Sequence, residues 1–470
     1  MSPIDIGDLP LPIQKAVRGI PEADCYFIAL SGGLDSMALL SFVYPYLSAK
    51  SKRVEVIHVH HGLSRNADNW AEHCRRVCAE LGVVCHVEYV QVTKRNKGLE
   101  AAARIARYSV FDDYLKNGGV LLQGHHLNDQ AETILMRLLR GAGPEGLSGI
   151  PVQRYLSGGM LYRPWLSTTR ADLQREVAKI GAEWIEDESN ADCQFDRNYL
   201  RHEVIPVLEK RWGACVHDIG RAGDRAQETQ AFLTSWCQSN IKQVLSVDYE
   251  EGNPVCIEAL RRFSLPEQKM LIRYWLDEAG VEQAPERIFV RIWSEMLKVR
   301  NDAQPEIRWG AIRIKRFDGC LYLLAKVDIP SFSHSINLKD LPQSLALPNG
   351  ILSLSSVPQT KGVEVEEGSV VRHVCIPESE RQVHVCSRMG SESIKIHGGH
   401  STSLKKLFQA SKVPPWKRDG IPLIYIGDDL AFIFSSIVSS MKDVTAEHFS
   451  VAKGDNFLRV TFKRSASSQK

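Results

Sequence analysis

The residues best suited to chemistry form a short turn near the amino end of the chain, Ser31-Gly-Gly-Leu-Asp-Ser36. Residues 26–30 are an apolar run that predicts a buried strand, and a second apolar run predicts a helix beginning near Ser36 and running toward Tyr44-Pro45. Two glycines let the backbone approach a ligand, while successive N–H groups and a helix N-terminus attract anions. We therefore predict a phosphate-binding turn at Ser31, Gly32, Gly33, Leu34, Asp35 and Ser36. The alternative is an ordinary strand-to-helix turn with a serine N-cap.

Three acidic residues follow strands that are predicted to share one sheet. Asp35 lies in the turn, and Asp129 and Glu132 stand three residues apart at a helix start after the strand 120–123. Parallel strands end at a common edge, so we expect these acids to face one cleft, where cations must neutralise them. The hypothesis is that Asp35 and Asp129 bind Mg²⁺ and that Glu132 holds an amine or attacking group. The alternative is an acid pair that complements the helix dipole.

Two arginine pairs have helical spacing. Arg104 and Arg107 are three residues apart after an alanine-rich run, and Arg197 and Arg201 are four residues apart after an acidic loop. Each pair can present two guanidinium groups on one face to phosphate or carboxylate. A solvated basic face for the first pair, and pairing with neighbouring acids for the second, are the alternatives.

Histidines and cysteines suggest a weaker metal hypothesis. His58, His60 and His61 end the predicted strand 53–60, and Cys74 and Cys78 lie one helical turn apart. The spacing lacks a convincing third ligand, so we expect the histidines to line the cleft and the cysteines to be buried. The 11 cysteines are odd in number, scattered and without a Cys-x-x-Cys motif, which favours reduced thiols.

Length and charge limit the class of protein. With 470 residues the chain exceeds what one hydrophobic core usually supports, so two or three domains are expected. The net charge is only +2, so any contact with nucleic acid must depend on local positive charge. No run approaches the roughly 18 apolar residues of a membrane span, and the first residues carry acids where a signal peptide carries basic residues. A cytoplasmic protein is therefore expected.

Strand and helix patterns alternate over the first 200 residues, which predicts an α/β domain with a doubly wound parallel sheet. Beyond residue 210 the pattern becomes mainly helical, and prolines and short strands follow. The predicted division is a catalytic domain at 1–212, a mainly helical middle domain at 213–328, a linker with short strands at 329–369 and a small α+β domain at 370–470.

A basic segment near the carboxyl end is interleaved with the aromatic residues Phe408 and Trp416. This composition is typical of a surface that contacts RNA backbone. The aromatic residues are interpreted as core rather than as base-stacking residues. The candidate RNA-binding residues are Lys405, Lys406, Lys412, Lys417 and Arg418.

The six-residue turn resembles the pyrophosphate loop of the PP-loop ATP pyrophosphatases, whose domain is Rossmann-like. The segments 125–133, 140–143, 162–166, 186–190 and 197–201 resemble, in that order, the motifs of the tRNA(Ile)-lysidine synthetase family. Asn128 stands where family members more often carry Asp, which leaves the metal role to Asp129. The segment 395–427 is similar to the family's C-terminal domain.

The resemblance implies a specific reaction. ATP, with Mg²⁺, would adenylate the C2 carbonyl oxygen of the wobble cytidine in an isoleucine tRNA with a CAU anticodon, and the ε-amine of free L-lysine would displace AMP. The implied catalytic residues are Asp35, Arg104, Asp129, Glu132, Arg197 and Arg201. Helical and C-terminal domains would hold the tRNA, and a homodimer stays open. The competing hypotheses are a PP-loop tRNA thiolase, which would need a cysteine pair, and a non-catalytic RNA-binding protein.

Overall fold

A computed structural model describes most of the chain and divides it into two compact units, Met1–Thr234 and Ser235–Lys470. The described residues are 6–92, 99–188, 192–246, 253–281, 284–298, 305–310, 312–325, 330–358, 369–377, 379–396, 401–435, 441, 443–446, 449 and 456–464.

A six-stranded sheet forms the centre of the first unit. Its strands, in spatial order, are β3 (Val84–Tyr89), β2 (Arg53–His60), β1 (Cys25–Ala29), β4 (Val120–Leu122), β6 (Gly159–Tyr162) and β5 (Gln153–Leu156). All neighbouring strands pair in parallel except the β5–β6 hairpin. Strand order reverses between β1 and β4, and ligands of doubly wound folds bind outside the carboxyl ends of strands at such a point. The predicted parallel α/β fold is confirmed.

Helices cover both faces of this sheet because its strands are apolar on both sides. One hydrophobic core contains Ile28, Leu122 and most of the buried residues of the helix that follows the glycine turn. A second hydrophobic core contains Phe27 and Leu121. The helix after the glycine turn continues through Pro45 to Ala49, beyond its predicted end. The helices are α1 (Leu11–Arg18), α2 (Leu34–Ala49), α3 (Ala67–Leu81), α4 (Leu99–Leu115), α5 (Leu127–Leu139), α6 (Pro144–Leu147), α7 (Arg170–Lys179), α8 (Asp196–Tyr199), α9 (Ile205–Arg211) and α10 (Cys215–Val244). A π-helical turn, Leu200–Val204, joins α8 to α9.

The second unit begins with helices packed on a small antiparallel sheet. The helices are α11 (Ile257–Leu260), α12 (Leu265–Glu278) and α13 (Glu286–Arg291), and the strands, in spatial order, are β7 (Val255–Cys256), β10 (Cys320–Ala325), β9 (Ile312–Phe317) and β8 (Glu306–Trp309). Leu271, Ile292 and Leu321 are among its fully buried residues.

Two antiparallel sheets and a short hairpin complete the second unit around one core. The first sheet contains β11 (Ser333–Asn337), β15 (Gln382–Cys386), β18 (Leu423–Ile426), β19 (Asp429–Ile433) and β20 (Val444–Thr445); the second contains β12 (Gln343–Leu347), β13 (Gly350–Pro358), β21 (Asn456–Arg464) and β14 (Ser369–Cys375). The hairpin is β16 (Ser393–Lys395) and β17 (Ser401–Ser403), followed by α14 (Leu404–Ala410) and α15 (Pro415–Arg418).

The segment 329–369, interpreted from sequence as a linker with short strands, contributes β11, β12 and β13 to these sheets. Strands β11 and β13 pair with the later strands β15 and β21, and β12 pairs with β13. Residues 359–368 lie outside the described residues. The four-part domain division stays a prediction. Across the part of the chain that the structure describes, none of the helices has both the length and the apolar character needed to span a membrane.

Candidate active site

The glycine turn between β1 and α2 is held in place by its own hydrogen bonds. Gly32 has a φ of +86°, and a Cβ there would lie 2.7 Å from Ile185 Cδ1. Ser36 Oγ accepts a hydrogen bond from Ser31 N at 3.1 Å and donates one to the Gly33 carbonyl at 2.9 Å. Ile185 N donates to Gly32 O at 2.9 Å. This arrangement fixes a glycine loop at the N-terminus of a 16-residue helix, as an anion site requires.

The first turn of α2 carries two candidate residues in different environments. Leu34 is buried in the core, whereas the Asp35 side chain is 31% exposed. Gly124 allows this turn to pack on the end of β4, because a Cβ there would lie 2.8 Å from the Asp35 carbonyl oxygen. The sequence analysis gave Gly124 no role, although a glycine directly after a buried strand often marks a close backbone approach.

His126 joins the two acidic segments and was also missed. It caps α5: its Nδ1 accepts from Asp129 N at 3.3 Å, and its own N–H donates to Asp129 Oδ2 at 3.0 Å. Its Nε2 lies 3.5 Å from Asp35 Oδ2 and 3.6 Å from Asp129 Oδ2, so a positive or polar edge stands between two carboxylates. Asn128 instead accepts a hydrogen bond from Arg170 N at 3.0 Å, which is a structural role.

Arg197 and Arg201 bind the acid pair of α5. Arg197 Nε donates to Glu132 Oε2 at 2.7 Å and its Nη2 to Asp129 Oδ1 at 3.0 Å. Arg201 donates from Nε to Glu132 Oε1 at 2.7 Å, and from Nη2 to Glu132 Oε2 at 3.0 Å and to Asp129 Oδ1 at 3.2 Å. Arg201 lies in the π-helical turn, a deviation that is frequent at functional sites. The acids were expected to need cations nearby, and the guanidinium groups of Arg197 and Arg201 supply positive charge to Asp129 and Glu132.

Burial and charge oppose each other in this cluster. Burial disfavours the charged form of Asp129, but His126 and Arg197 outweigh it and lower the pKa of this carboxyl. Burial likewise opposes charge on His126, while Asp129 and Asp35 raise its pKa. The pKa values of Arg197 and Arg201 are raised by their carboxylate partners despite burial.

The carboxylate oxygens differ in their fitness for Mg²⁺. Asp35 Oδ1 is buried and has no hydrogen-bond partner within the described ranges, so a cation there would satisfy it. Asp129 already accepts hydrogen bonds on both oxygens, from two arginines and from a backbone N–H. Asp35 could therefore bind a metal ion through Oδ1 without losing a hydrogen bond, whereas Asp129 would first have to give up one of its hydrogen bonds.

Arg104 lies apart from this cluster. It is exposed, donates from Nη2 to Tyr108 OH at 3.2 Å, and places its guanidinium carbon 4.9 Å from the centre of that ring. Buried Arg163 also donates to Tyr108 OH, at 3.3 Å, and to His125 Nδ1 at the same distance. Among the described residues, no hydrogen bond or ion pair joins Arg104 to the three acids.

The three histidines at the end of β2, His58, His60 and His61, do not share a partner among the described residues. His58 is buried and its Nδ1 donates to the Leu30 carbonyl at 2.8 Å, while His60 Nε2 lies 3.1 Å from Asp68 Oδ1. Burial lowers the pKa of His61 to about 4. No group of three or more His, Cys, Asp or Glu side chains forms a metal site in the described part of the chain.

The two cysteines that the sequence places one helical turn apart are core residues. Cys74 and Cys78 are buried in the core behind the glycine turn. Burial raises the pKa of Cys74 to about 12, and a hydrogen bond with Cys85 together with burial raises that of Cys78. Both side chains are therefore protonated thiols at neutral pH, which are poor nucleophiles and poor metal ligands.

The basic segment near the carboxyl end separates into exposed and internal side chains. Lys405 and Lys406 are exposed on α14, and Lys417 is partly exposed. Lys412 is exposed as well, although its Nζ lies 2.9 Å from an Asp318 carboxylate oxygen. Arg418 is instead buried, with its Nε donating to the Val413 carbonyl at 3.0 Å.

The expectation that Arg418 contacts RNA is therefore not supported, since its guanidinium serves the fold. Phe408 is fully buried, as predicted. Trp416 packs edge-on against Phe317 and Tyr322, with centroid distances of 5.9 and 5.1 Å, which also agrees with a core role.

Comparisons with known families cover the chain in three parts. A PP-loop domain model matches residues 12–208, a TilS substrate binding domain model matches 256–322, and a TilS substrate C-terminal domain model matches 383–450.

Curated relatives match nearly the whole length. The tRNA(Ile)-lysidine synthase of Legionella pneumophila (strain Paris) is 34% identical over 432 residues, covering 92% of this chain and 96% of the relative. That of Serratia proteamaculans (strain 568) is 36% identical over 415 residues, covering 88% and 91%. A solved U34-tRNA thiolase from Methanococcus maripaludis is 14% identical, with a TM-score of 0.39, and covers 46% of this chain and 77% of the thiolase.

Proposed function

This chain belongs to the tRNA(Ile)-lysidine synthase family, and we propose that it adenylates the C2 carbonyl oxygen of the wobble cytidine and then joins lysine there through its ε-amine. It is an ATP-using PP-loop ligase that forms lysidine on tRNA(Ile). The observation that supports the proposed residue roles is the approach of Asp35 to Asp129 across His126, beside the glycine turn.

The first step is attack of the cytidine carbonyl oxygen on the α-phosphorus of ATP, with pyrophosphate leaving. The glycine turn, Ser31 to Ser36, and the N-terminus of α2 would hold the departing pyrophosphate. Arg197 and Arg201 supply fixed positive charge, and their side chains remain 35% and 26% exposed toward solvent. Preorganised donors of this kind typically contribute factors of about 10² to 10³ each to the rate.

The acid pair of α5 is proposed to position the arginines. Glu132 is fully buried, and both its oxygens accept hydrogen bonds from guanidinium groups. This makes Glu132 a poor holder for the lysine ammonium, which would have to displace an arginine. Fixed guanidinium groups lose little freedom when they bind the developing phosphate charge.

The second step is attack of the lysine amine on C2, which breaks the bond to the adenylate oxygen and releases AMP. Only the neutral amine attacks, so a carboxylate must accept its proton. Asp35 is the candidate, because its side chain is 31% exposed beside the glycine turn. If Asp35 instead holds Mg²⁺, the ion would neutralise phosphate charge. Arg104, held on Tyr108, is proposed to contact substrate phosphate outside the cluster.

The test is lysine incorporation with purified components. Purified protein, ATP, Mg²⁺ and radiolabelled lysine are mixed with an isoleucine tRNA transcript bearing the CAU anticodon, and labelled tRNA, AMP and pyrophosphate are counted. Equal amounts of all three, and none with a transcript whose anticodon is changed to GAU, support the proposal. Pyrophosphate release that does not depend on lysine-accepting tRNA, or sulfur incorporation, would contradict it.

The proposed tRNA surface is limited to the exposed part of the basic segment. Lys405, Lys406, Lys412 and Lys417 would contact backbone phosphates, so tRNA binding should weaken as the salt concentration rises. Arg418 would act indirectly, through its hydrogen bond to the Val413 carbonyl.

A further inference from the structure

A groove in the first unit lies beside the acid–arginine cluster and has no role in the reaction described above. Its volume is about 480 Å³, within the range of roughly 300 to 1,000 Å³ that is common for small-molecule pockets. One wall is a single face of α5, and the other is the turn before α8. The lining residues used below are Thr133, Met136, Arg137, Arg140, Gln194 and Phe195.

The groove shares a side chain with the reaction centre. Arg197 lines it and also binds Asp129 and Glu132. Arg140 is the C-cap residue of α5 and lies eleven residues beyond Asp129, about 16 Å away along an axis with a 1.5 Å rise per residue. The groove therefore runs from the reaction centre along α5, away from the glycine turn.

Its lining combines an exposed aromatic ring with an exposed arginine that has only a weak ion pair. Phe195 is 52% exposed. Arg140 is 66% exposed, and among the described residues its ion pair is with Asp196 at 3.4 Å. Asp196 is itself 77% exposed, so this ion pair is weak. Arg137, by contrast, is committed to the fold, because its Nη1 donates to the Gly146 and Gly149 carbonyls.

We propose that this groove binds the base of an anticodon-loop nucleotide adjacent to the modified cytidine, with the base stacked on Phe195 and its phosphate near Arg140. The inference rests on the proposed function, which brings the anticodon loop to the neighbouring centre. Single-stranded bases stack readily on exposed aromatic side chains, and arginine pairs with phosphate. The amide of Gln194 offers both a donor and an acceptor to a base edge.

Two other ligands of the reaction suit the groove less well. Free lysine would bring an ammonium group among three arginines, and Asp196, the acid among the described lining residues, is so exposed that it would offer that ammonium only a weak ion pair. The adenine of ATP would have to extend along α5 from phosphates bound at the opposite end of the site, beside α2.

The experiment compares Phe195→Ala, Phe195→Trp and the wild-type chain in the lysine-incorporation assay. Phe195→Ala should raise the KM for tRNA about ten- to a hundredfold, because loss of one base–aromatic stack typically weakens nucleic-acid binding by about that factor. The kcat and the KM values for ATP and lysine should stay nearly unchanged. Phe195→Trp should restore the KM, since a larger ring also stacks. Phe232→Ala is the matched control, because Phe232 is 69% exposed on α10 and lies outside the groove.

A second measurement identifies the contacted base. Phe195 is replaced by the photoreactive p-benzoylphenylalanine, the complex with tRNA(Ile) is irradiated, and the cross-link is mapped by primer extension. A stop at a nucleotide next to the wobble cytidine supports the proposal. A stop outside the anticodon loop, or a Phe195→Ala effect on the KM for ATP or lysine instead of tRNA, overturns it. Lysidine formation by the wild-type chain in the same assay keeps this outcome separate from any failure of the proposed function.

Discussion

Glu132→Gln tests whether the buried acid pair holds the two arginines. Glu132 is fully buried and accepts three hydrogen bonds, at 2.7, 2.7 and 3.0 Å. The amide keeps the shape of the carboxylate but removes its charge. It also directs an NH₂ group toward a guanidinium donor. Arg197 and Arg201 would then share Asp129 as their remaining carboxylate partner in the cluster.

The expected cost follows from this geometry. Removing one partner of a buried ion pair costs about 3 to 5 kcal/mol, and the partial exposure of both arginines favours the lower end. For a unit the size of Met1–Thr234, a loss of about 3 kcal/mol corresponds to a Tm lower by about 6 to 12 °C. The turnover number should fall by about a hundredfold or more, because each arginine donor loses its fixed position.

The assay measures thermal unfolding and lysine incorporation for Glu132→Gln, Arg201→Met and the double variant. The double variant should be more stable than the sum of the single losses predicts, by about 1 to 3 kcal/mol, since removing the arginine relieves the uncompensated charge. Glu176→Gln is the matched control: Glu176 is also a buried carboxylate, but its partner Lys179 is 62% exposed. It should lose less stability and keep full activity.

Additive stability losses would refute this reasoning, because they would show that Glu132 and Arg201 act independently. Glu132→Gln with wild-type Tm and turnover would refute it more directly. A normal Tm with a raised KM for lysine alone would assign Glu132 to the lysine ammonium instead, as first expected from the sequence.

Three further outcomes are expected. Asp35→Asn should lower turnover by about a hundredfold and raise the Mg²⁺ concentration needed for half-maximal activity, because Oδ1 is an unpartnered buried oxygen among the described residues; an unchanged Mg²⁺ titration would contradict the metal role. Arg104→Ala and Arg201→Ala should reduce turnover at saturating tRNA, whereas Lys406→Ala should weaken tRNA binding and its salt dependence; equal losses of turnover would contradict that division. Burial lowers the pKa of His125 to about 3, so as pH falls from 7 to 5 the unfolded chain gains a proton that the folded chain does not. Stability should therefore fall by about 2 kcal/mol over this range, and His125→Gln should remove that part of the loss in urea unfolding at the two pH values.

The sequence was sufficient for features whose physics is local. A glycine pair between a five-residue apolar run and a helix predicted a tight turn at a helix N-terminus, which the structure has, because positive φ at Gly32 and the helix start are properties of adjacent residues. Phosphate binding by this turn stays a prediction. The alternation of strands and helices predicted the parallel sheet for a similar reason, since hydrophobic periodicity within each element determines which faces must be covered. The order of the motifs indicated the family.

The partners of each charged group depended on tertiary structure. Arg197 and Arg201 were expected to offer free guanidinium groups to phosphate, but they bind acids that lie 65 to 72 residues earlier in the chain. Spacing within one helix shows which side chains share a face and carries no information about what that face meets. The same limit explains Arg418, whose basic type predicted RNA contact although its surroundings bury it.

The chain by itself therefore determined the glycine turn, the parallel sheet and the residue types of the site. Only the tertiary structure decided that Gly124 and His126 bring Asp35 to Asp129, that Asp35 Oδ1 lacks a partner within the described residues, and that two arginines already satisfy Glu132. The physical reason is that backbone conformation follows from neighbouring residues, whereas hydrogen-bond partners and burial of a charged group are decided by whichever distant elements pack around it.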